Sequence, residues 1–305
     1  LKDGIAWAAE SDRSVEDLHR YADHMDRHYD YRIEPLDRDA FGALCPSPAY
    51  RGGVLDMGAA HLHPLAFALG LARAAEKAGA TIHEGSEVTA MEEGDTVSLR
   101  TDRGVVRADH AILACNGYLG GLAPQVGARV MPINNFVVAT EPLGSRAAEV
   151  LTRDVAVSDD RFVVNYFRLS HDGRLLFGGG ESYGYRFPSD IRETVRKPLL
   201  RVFPHLADVP LTHAWGGTLA ITMKRLPHLA RLSDRVLTAS GYSGHGVGNA
   251  TQAGRLMAEA IRGRSDGFDT FATLPTPAFP GGAALRNPLL VLAMSWFAMR
   301  DRIGL

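Results

Sequence analysis

The chain has 305 residues, 46% hydrophobic and 22% charged, with a formal net charge of −2. This composition supports a sizeable core in one or two domains, and its interspersed charges exclude a nucleic-acid binder, which clusters Lys and Arg. The two cysteines, Cys45 and Cys115, lie in unlike contexts and exclude a disulfide framework. Two reduced thiols suit a cytoplasmic protein.

The opening, Leu1-Lys2-Asp3-Gly4-Ile5, reads as interior sequence, and the chain is expected to be part of a longer protein. Residues 14–29 read as a polar helix with Ser14 as N-cap and Glu16 and Asp17 in its first turn. Residues 34–50 are turn-rich, and Gly52 to Asp56 make a short strand. Pro64 suits the first position of a helix. Leu65, Ala68, Leu69, Ala72 and Ala75 give that helix an apolar stripe, and Gly79 stops it. Strands are predicted over 80–84 and 87–91, and a hairpin over 96–100 and 105–108 around Asp102-Arg103-Gly104. Residues 110–115 form a nearly continuous apolar run, as expected of a strand covered on both faces.

Residues 130–222 are richer in strands, over 136–140, 161–169, 174–177 and 211–215, with a tight turn at His171-Asp172-Gly173 and a helix over 189–202. A buried strand over 235–239 then feeds Gly241-Tyr242-Ser243-Gly244-His245-Gly246 and a helix over 247–262. The apolar stretch Pro288 to Met299 is shorter than the roughly 20 residues a spanning helix needs. It is expected to pack as a C-terminal helix, and no transmembrane segment is expected.

The glycine loop at 241–246 carries the strongest chemical signal. Three glycines bare the backbone where something flat or anionic must approach, and the following helix turns its free N–H groups and positive dipole end toward that place. It lacks the Lys-Ser/Thr of a P-loop, and the spacing GxGxxG occurs nowhere in the chain. Ala114-Cys115-Asn116-Gly117 ends a buried strand with small residues, where α/β sheets bind ligands; a simple strand-end turn reads equally well. Trp215-Gly216-Gly217 suits a planar ring beside bare backbone, or a core tryptophan at a bulge. His245, held between two glycines, can titrate near neutral pH; a surface or stacking role explains it equally well. His61 and His63 share a strand face but have no third ligand nearby, so no metal site is expected. Gly241-Tyr242-Ser243-Gly244 falls one residue short of the serine-hydrolase spacing GxSxG.

In this order, the segments Gly53 to Asp56 with Ala60 to Pro64, Ala114 to Tyr118, Pro132 to Leu143, Tyr166-Phe167-Arg168 with Asp172 to Gly179, Trp215-Gly216-Gly217 and Gly241 to Val247 resemble the FAD-dependent oxidoreductases of the D-amino-acid oxidase superfamily. The nearest resemblance is to gamma-glutamylputrescine oxidase-like members. It implies a two-domain α/β (α+β) fold: a Rossmann-like FAD domain of the glutathione-reductase type, lacking its N-terminal βαβ unit, with an inserted antiparallel-sheet substrate domain. The expected parts are 1–128 and 223–265 for the FAD domain, 129–222 for the substrate sheet and 266–305 for a C-terminal tail.

The resemblance further implies non-covalent FAD. The backbone of Val88 would touch the adenine end, and Ala114, Cys115, Asn116 and Gly117 would lie near the ribose and pyrophosphate. Gly216 and Gly217 would pack beside the flavin, while Gly241, Tyr242, Ser243, Gly244, His245, Gly246 and Val247 would hold its N1–C2=O edge. Negative charge on the reduced ring at that edge suits a helix N-terminus. Tyr166 and Arg168 are candidates for the substrate side, and Tyr166 and His245 for catalysis. Amino-acid oxidases of the family carry a carboxylate-clamping arginine two residues after the second glycine of Trp-Gly-Gly; Leu219 stands there. The implied reaction is oxidation of an amine C–N bond with O2 as acceptor. The alternatives are an oxidase or dehydrogenase of glycine, sarcosine or a D-amino acid, and a non-catalytic remnant.

Overall fold

The computed structural model describes residues 1–161, 163–183 and 186–282. Its strands are β1 (Lys2–Ala9), β2 (Glu34–Leu36), β3 (Gly52–His61), β4 (Ala90–Glu93), β5 (Val97–Arg100), β6 (Val105–Ala108), β7 (Ala111–Leu113), β8 (Met131–Pro142), β9 (Ala156–Asp159), β10 (Tyr166–Leu169), β11 (Arg174–Tyr183), β12 (Leu211–Ile221), β13 (His228–Arg231) and β14 (Val236–Ser240). Its helices are α1 (Asp12–Tyr29), α2 (Arg38–Leu44), α3 (Pro64–Lys77), α4 (Pro124–Gly127), α5 (Ile191–Val202), α6 (Gly246–Ile261) and α7 (Asp266–Ala272). Two compact units emerge. The first joins Leu1–Leu71, Asn135–Ser182 and Phe187–Gly217; the second contains Ala72–Asn134 and the described residues from Thr218 onward. Residues 1–71 therefore pack with the substrate-sheet segments, whereas the sequence partition groups them with 72–128.

The first unit is built on an eight-stranded sheet of order β12-β8-β11-β10-β9-β1-β3-β2. Alternation along each strand sends Ala6, Ala8, Phe136, Val138, Val157, Phe167, Leu175 and Phe177 to one face. They pack there against Val195, Leu199 and Val202 of α5 and against Phe203. The Phe167 ring stacks on Phe177 with centroids 5.7 Å apart and meets Phe203 edge-on at 5.0 Å. Burying one such ring contributes about 2–3 kcal/mol. On the other face, Trp7 and Val54 pack with Ala22, Leu18 and Met25 of α1. Ser11, not Ser14, caps α1: its side chain accepts from the Ser14 N–H at 3.1 Å.

The second unit holds two three-stranded sheets, β13-β14-β7 and β4-β5-β6. In the first, β14 pairs antiparallel with β13 and parallel with β7. All five residues of β14 are buried. Helix α6 buries Ala253, Leu256, Met257 and Ala260 in a cluster with Leu237, Ala239 and Phe268.

Two sequence expectations, at 80–84 and at β7, fail here for one physical reason, the lack of a neighbour. Residues 80–84 form no strand, and of 87–91 only Ala90 and Met91 enter β4. Residues 80–84 hold two β-formers, Thr81 and Ile82, but a strand needs a ladder partner, and among the described residues none lies beside them; Ile82 is exposed. Strand β7 is covered on one side only, since Ala111 and Leu113 are buried while Ile112 is exposed. Helix α3 starts at Pro64 and ends near Gly79 as expected, yet buries no residue; Leu65 is 63% exposed. Its apolar stripe has no covering element among the described residues. The expected helix over 288–299 lies outside them.

Candidate functional site

The second unit brings together the ends of β7 and β14. Strand β7 runs through Ala114 and Cys115, both exposed, into a single 3-10 turn over Asn116–Tyr118. Asn116 adopts φ 47, and its side-chain oxygen accepts the Gly241 N–H at 3.1 Å, tying the two strand ends together. Deeper in, the Thr238 hydroxyl donates to the Leu113 carbonyl at 3.0 Å. The Thr218 N–H donates to the Tyr118 hydroxyl at 2.8 Å, and the Ser243 N–H to the Ala220 carbonyl at 3.0 Å. Leu219 thus sits in the stretch that Tyr118 and Ser243 pin from both ends.

Gly117 is where that stretch comes closest. A Cβ there would lie 2.5 Å from the Thr218 carbonyl oxygen and 2.8 Å from that of Leu219, both backbone atoms that cannot swing aside. Gly117→Ala is therefore expected to cost about 1–3 kcal/mol in a urea melt. Gly121→Ala, whose Cβ meets nothing within 4 Å, should leave the midpoint unchanged.

The loop leaving β14 is half hidden and half open. Gly241, Tyr242 and Ser243 are buried, and the Ser243 hydroxyl donates to the Gly241 carbonyl at 3.2 Å. Burial pushes the Tyr242 phenol upward. Gly244, His245 and Val247 are exposed, and Gly246 is half-buried. Gly244 adopts φ +96, and a Cβ on it would meet nothing within 4 Å. His245 is the N-cap of the 16-residue α6, but no side chain caps the helix's first turn. Just before the loop, the buried Ser240 hydroxyl has no hydrogen-bond partner.

The uncapped start of α6, beside a glycine that opens onto free space, makes a donor-rich place at the end of β14. It fits the acceptor edge of a flavin-like ring. Val88 stands apart in the extended run before β4, and Gly216 and Gly217 belong to the first unit. In that unit Gly216 lies against Phe136 and Phe187, 2.7 Å and 3.0 Å from where its Cβ would be. Tyr166 and Arg168 also belong there, on β10. Sequence reasoning missed Ser240, Thr218 and Tyr118. Only Ser240 leaves a sequence trace, as a polar residue closing a strand that is otherwise almost wholly apolar.

Among the described residues no helix is long and apolar enough to cross a membrane. The DAO family pattern, described as FAD dependent oxidoreductase, matches residues 1–260. The chain is 43% identical over 288 residues to the probable oxidoreductase OrdL of Rhizobium meliloti, covering 94% of this chain and 67% of that protein. It is 36% identical over 303 residues to gamma-glutamylputrescine oxidoreductase of Escherichia coli, covering 99% and 71%. Among solved structures, glycine oxidase from Geobacillus kaustophilus superposes with a TM-score of 0.77 at 20% identity, over 92% of this chain and 76% of that one. The fold and the cofactor type agree with those the sequence segments imply. The chain belongs to the DAO family of FAD-dependent oxidoreductases.

Proposed function

We propose that the enzyme oxidises the C–N bond of a gamma-glutamylputrescine-like amine, with FAD seated at the β14–α6 loop. The observation that carries the reading is the loop itself: Gly244 bare and α6 uncapped. When bound, FAD supplies the hydride acceptor, the amine becomes an imine, and water hydrolyses it. The N–H groups opening α6, with the bare backbone at Gly241, Gly244 and Gly246, would stabilise negative charge at the ring edge. Tyr242 and Ser243 would keep the loop in shape, and His245 and Val247 would border it. Ala114, Cys115, Asn116 and Gly117 would line the ribose and pyrophosphate, Val88 the adenine, and Gly216 and Gly217 the ring.

Substrate choice follows from Leu219. A bidentate arginine–carboxylate pair is among the stronger polar contacts, and an aliphatic side chain cannot replace it. Tyr166 and Arg168 would then read the rest of the substrate. The relative from Escherichia coli, by its name, acts on gamma-glutamylputrescine. O2 as acceptor and a cytoplasmic location complete the reading. A peroxide assay on the enzyme expressed from its full coding sequence tests it. The expected kcat/KM for gamma-glutamylputrescine exceeds that for glycine, sarcosine or D-alanine by about a hundredfold, the discrimination an apolar pocket achieves against a polar group it cannot pair. Faster turnover of any of those three amino acids would overturn it.

A further inference from the structure

On β10 the side chains alternate, and Phe167 enters the core while Tyr166 and Arg168 take the opposite face. Tyr166 pairs in register with Gly178 of β11. Its ring lies across that glycine: a Cβ there would come within 2.0 Å of Cζ and 2.2 Å of Cε2. The ring is thus held flat, and its hydroxyl donates to the Asn135 side-chain oxygen on β8. The Asn135 amide nitrogen in turn points to the Gly180 carbonyl at 3.5 Å. A carbonyl only accepts, so the amide oxygen must face Tyr166.

A phenol carries one proton and two lone pairs. Asn135 accepts the hydroxyl hydrogen, so the Tyr166 oxygen shows only lone pairs to any further group that reaches it. We infer that Asn135 is a positioning residue that makes Tyr166 an acceptor, so that this tyrosine receives an amine N–H of the substrate and turns carboxylates away. The inference rests on the amine-oxidising reading above. A carboxylate oxygen set against that hydroxyl would meet lone pairs with no proton between them, whereas an ammonium brings the missing donor. The negative charge of Glu181 also acts on Tyr166. Burial first, and that charge second, push the phenol up to about 12, so it keeps its proton across the working pH range.

The test is isothermal titration calorimetry of the FAD-loaded enzyme, from its full coding sequence, with 1,4-diaminobutane and with succinate. Tyr166→Phe and Asn135→Leu should each raise the diamine Kd by about tenfold, as loss of a hydrogen bond to a charged group does. Asn135→Asp should keep or strengthen diamine affinity, because a carboxylate still accepts from the Tyr166 hydroxyl and adds a negative charge beside it. Tyr166→Phe should leave succinate binding unchanged or strengthen it, since it removes the lone pairs that oppose a carboxylate. If Asn135→Leu fails to fold, Tyr166→Phe and Asn135→Asp decide alone. The inference fails if Tyr166→Phe leaves diamine binding unchanged or weakens succinate instead, if Asn135→Asp loses diamine affinity, or if the wild type shows no saturable diamine binding. Absence of amine turnover, with this binding pattern intact, would sink the oxidative reading and leave the polarity of Tyr166 standing.

Discussion

Gly244→Val in the enzyme from its full coding sequence should yield folded protein that emerges nearly colourless. The backbone at Gly244 has φ +96, and a side chain there would project into open space, not into the protein's own packing. The strain of a non-glycine residue in that region costs about 1–3 kcal/mol, which a domain of this size survives. The new side chain would instead occupy volume that the ring edge needs. Overpacking of that kind costs about 1–3 kcal/mol, so FAD retention should fall roughly ten- to a hundredfold. Gly79→Val is the matched control. Gly79 has φ +95 and equally open surroundings, but it ends α3 and has no part in the loop. Its variant should lose similar stability and keep its flavin. Equal flavin content in the two variants, read from absorbance after gel filtration, would remove the loop from the cofactor site.

Residues 1–305 expressed by themselves should neither hold FAD tightly nor stay monodisperse. The sequence contains no GxGxxG, the element whose helix N-terminus normally neutralises a dinucleotide pyrophosphate. Three exposed apolar features add to the difficulty: Leu65 at 63%, Leu69 at 49% and Ile112 at 39% exposure. Among the described residues, β7 is an edge strand of its sheet. Such an edge pairs readily with other chains, and a contiguous apolar patch promotes association. FAD titration and light scattering on this chain check the expectation. A monodisperse, yellow protein active on an amine would show that 1–305 suffices for cofactor binding.

Much of this was legible from local patterns. Pro64 and Gly79 bracketed α3 correctly because their backbone constraints act without help from the rest of the chain. The 241–246 loop could be read for the same reason: three glycines before a helix are a local statement. What escaped depends on distant partners. Residues 80–84 carry the β-formers Thr81 and Ile82 but have no neighbour to pair with among the described residues. Asn135 is unremarkable in sequence, and gains its role only when β8, β11 and β10 bring Gly180 and Tyr166 beside it. Ser240 shows its significance only once burial strips it of water and leaves its hydroxyl unpaired. The stripe on α3 was read correctly as apolar, but it buries no residue, since periodicity marks a face and not what covers it.

Anaerobic mixing of the FAD-loaded enzyme with gamma-glutamylputrescine tests the central claim most directly. The account predicts that the oxidised flavin spectrum bleaches in a single turnover and returns on admitting O2, while glycine, sarcosine and D-alanine leave it unchanged. A flavin that stays oxidised with the amine, or bleaches faster with one of those amino acids, would contradict it.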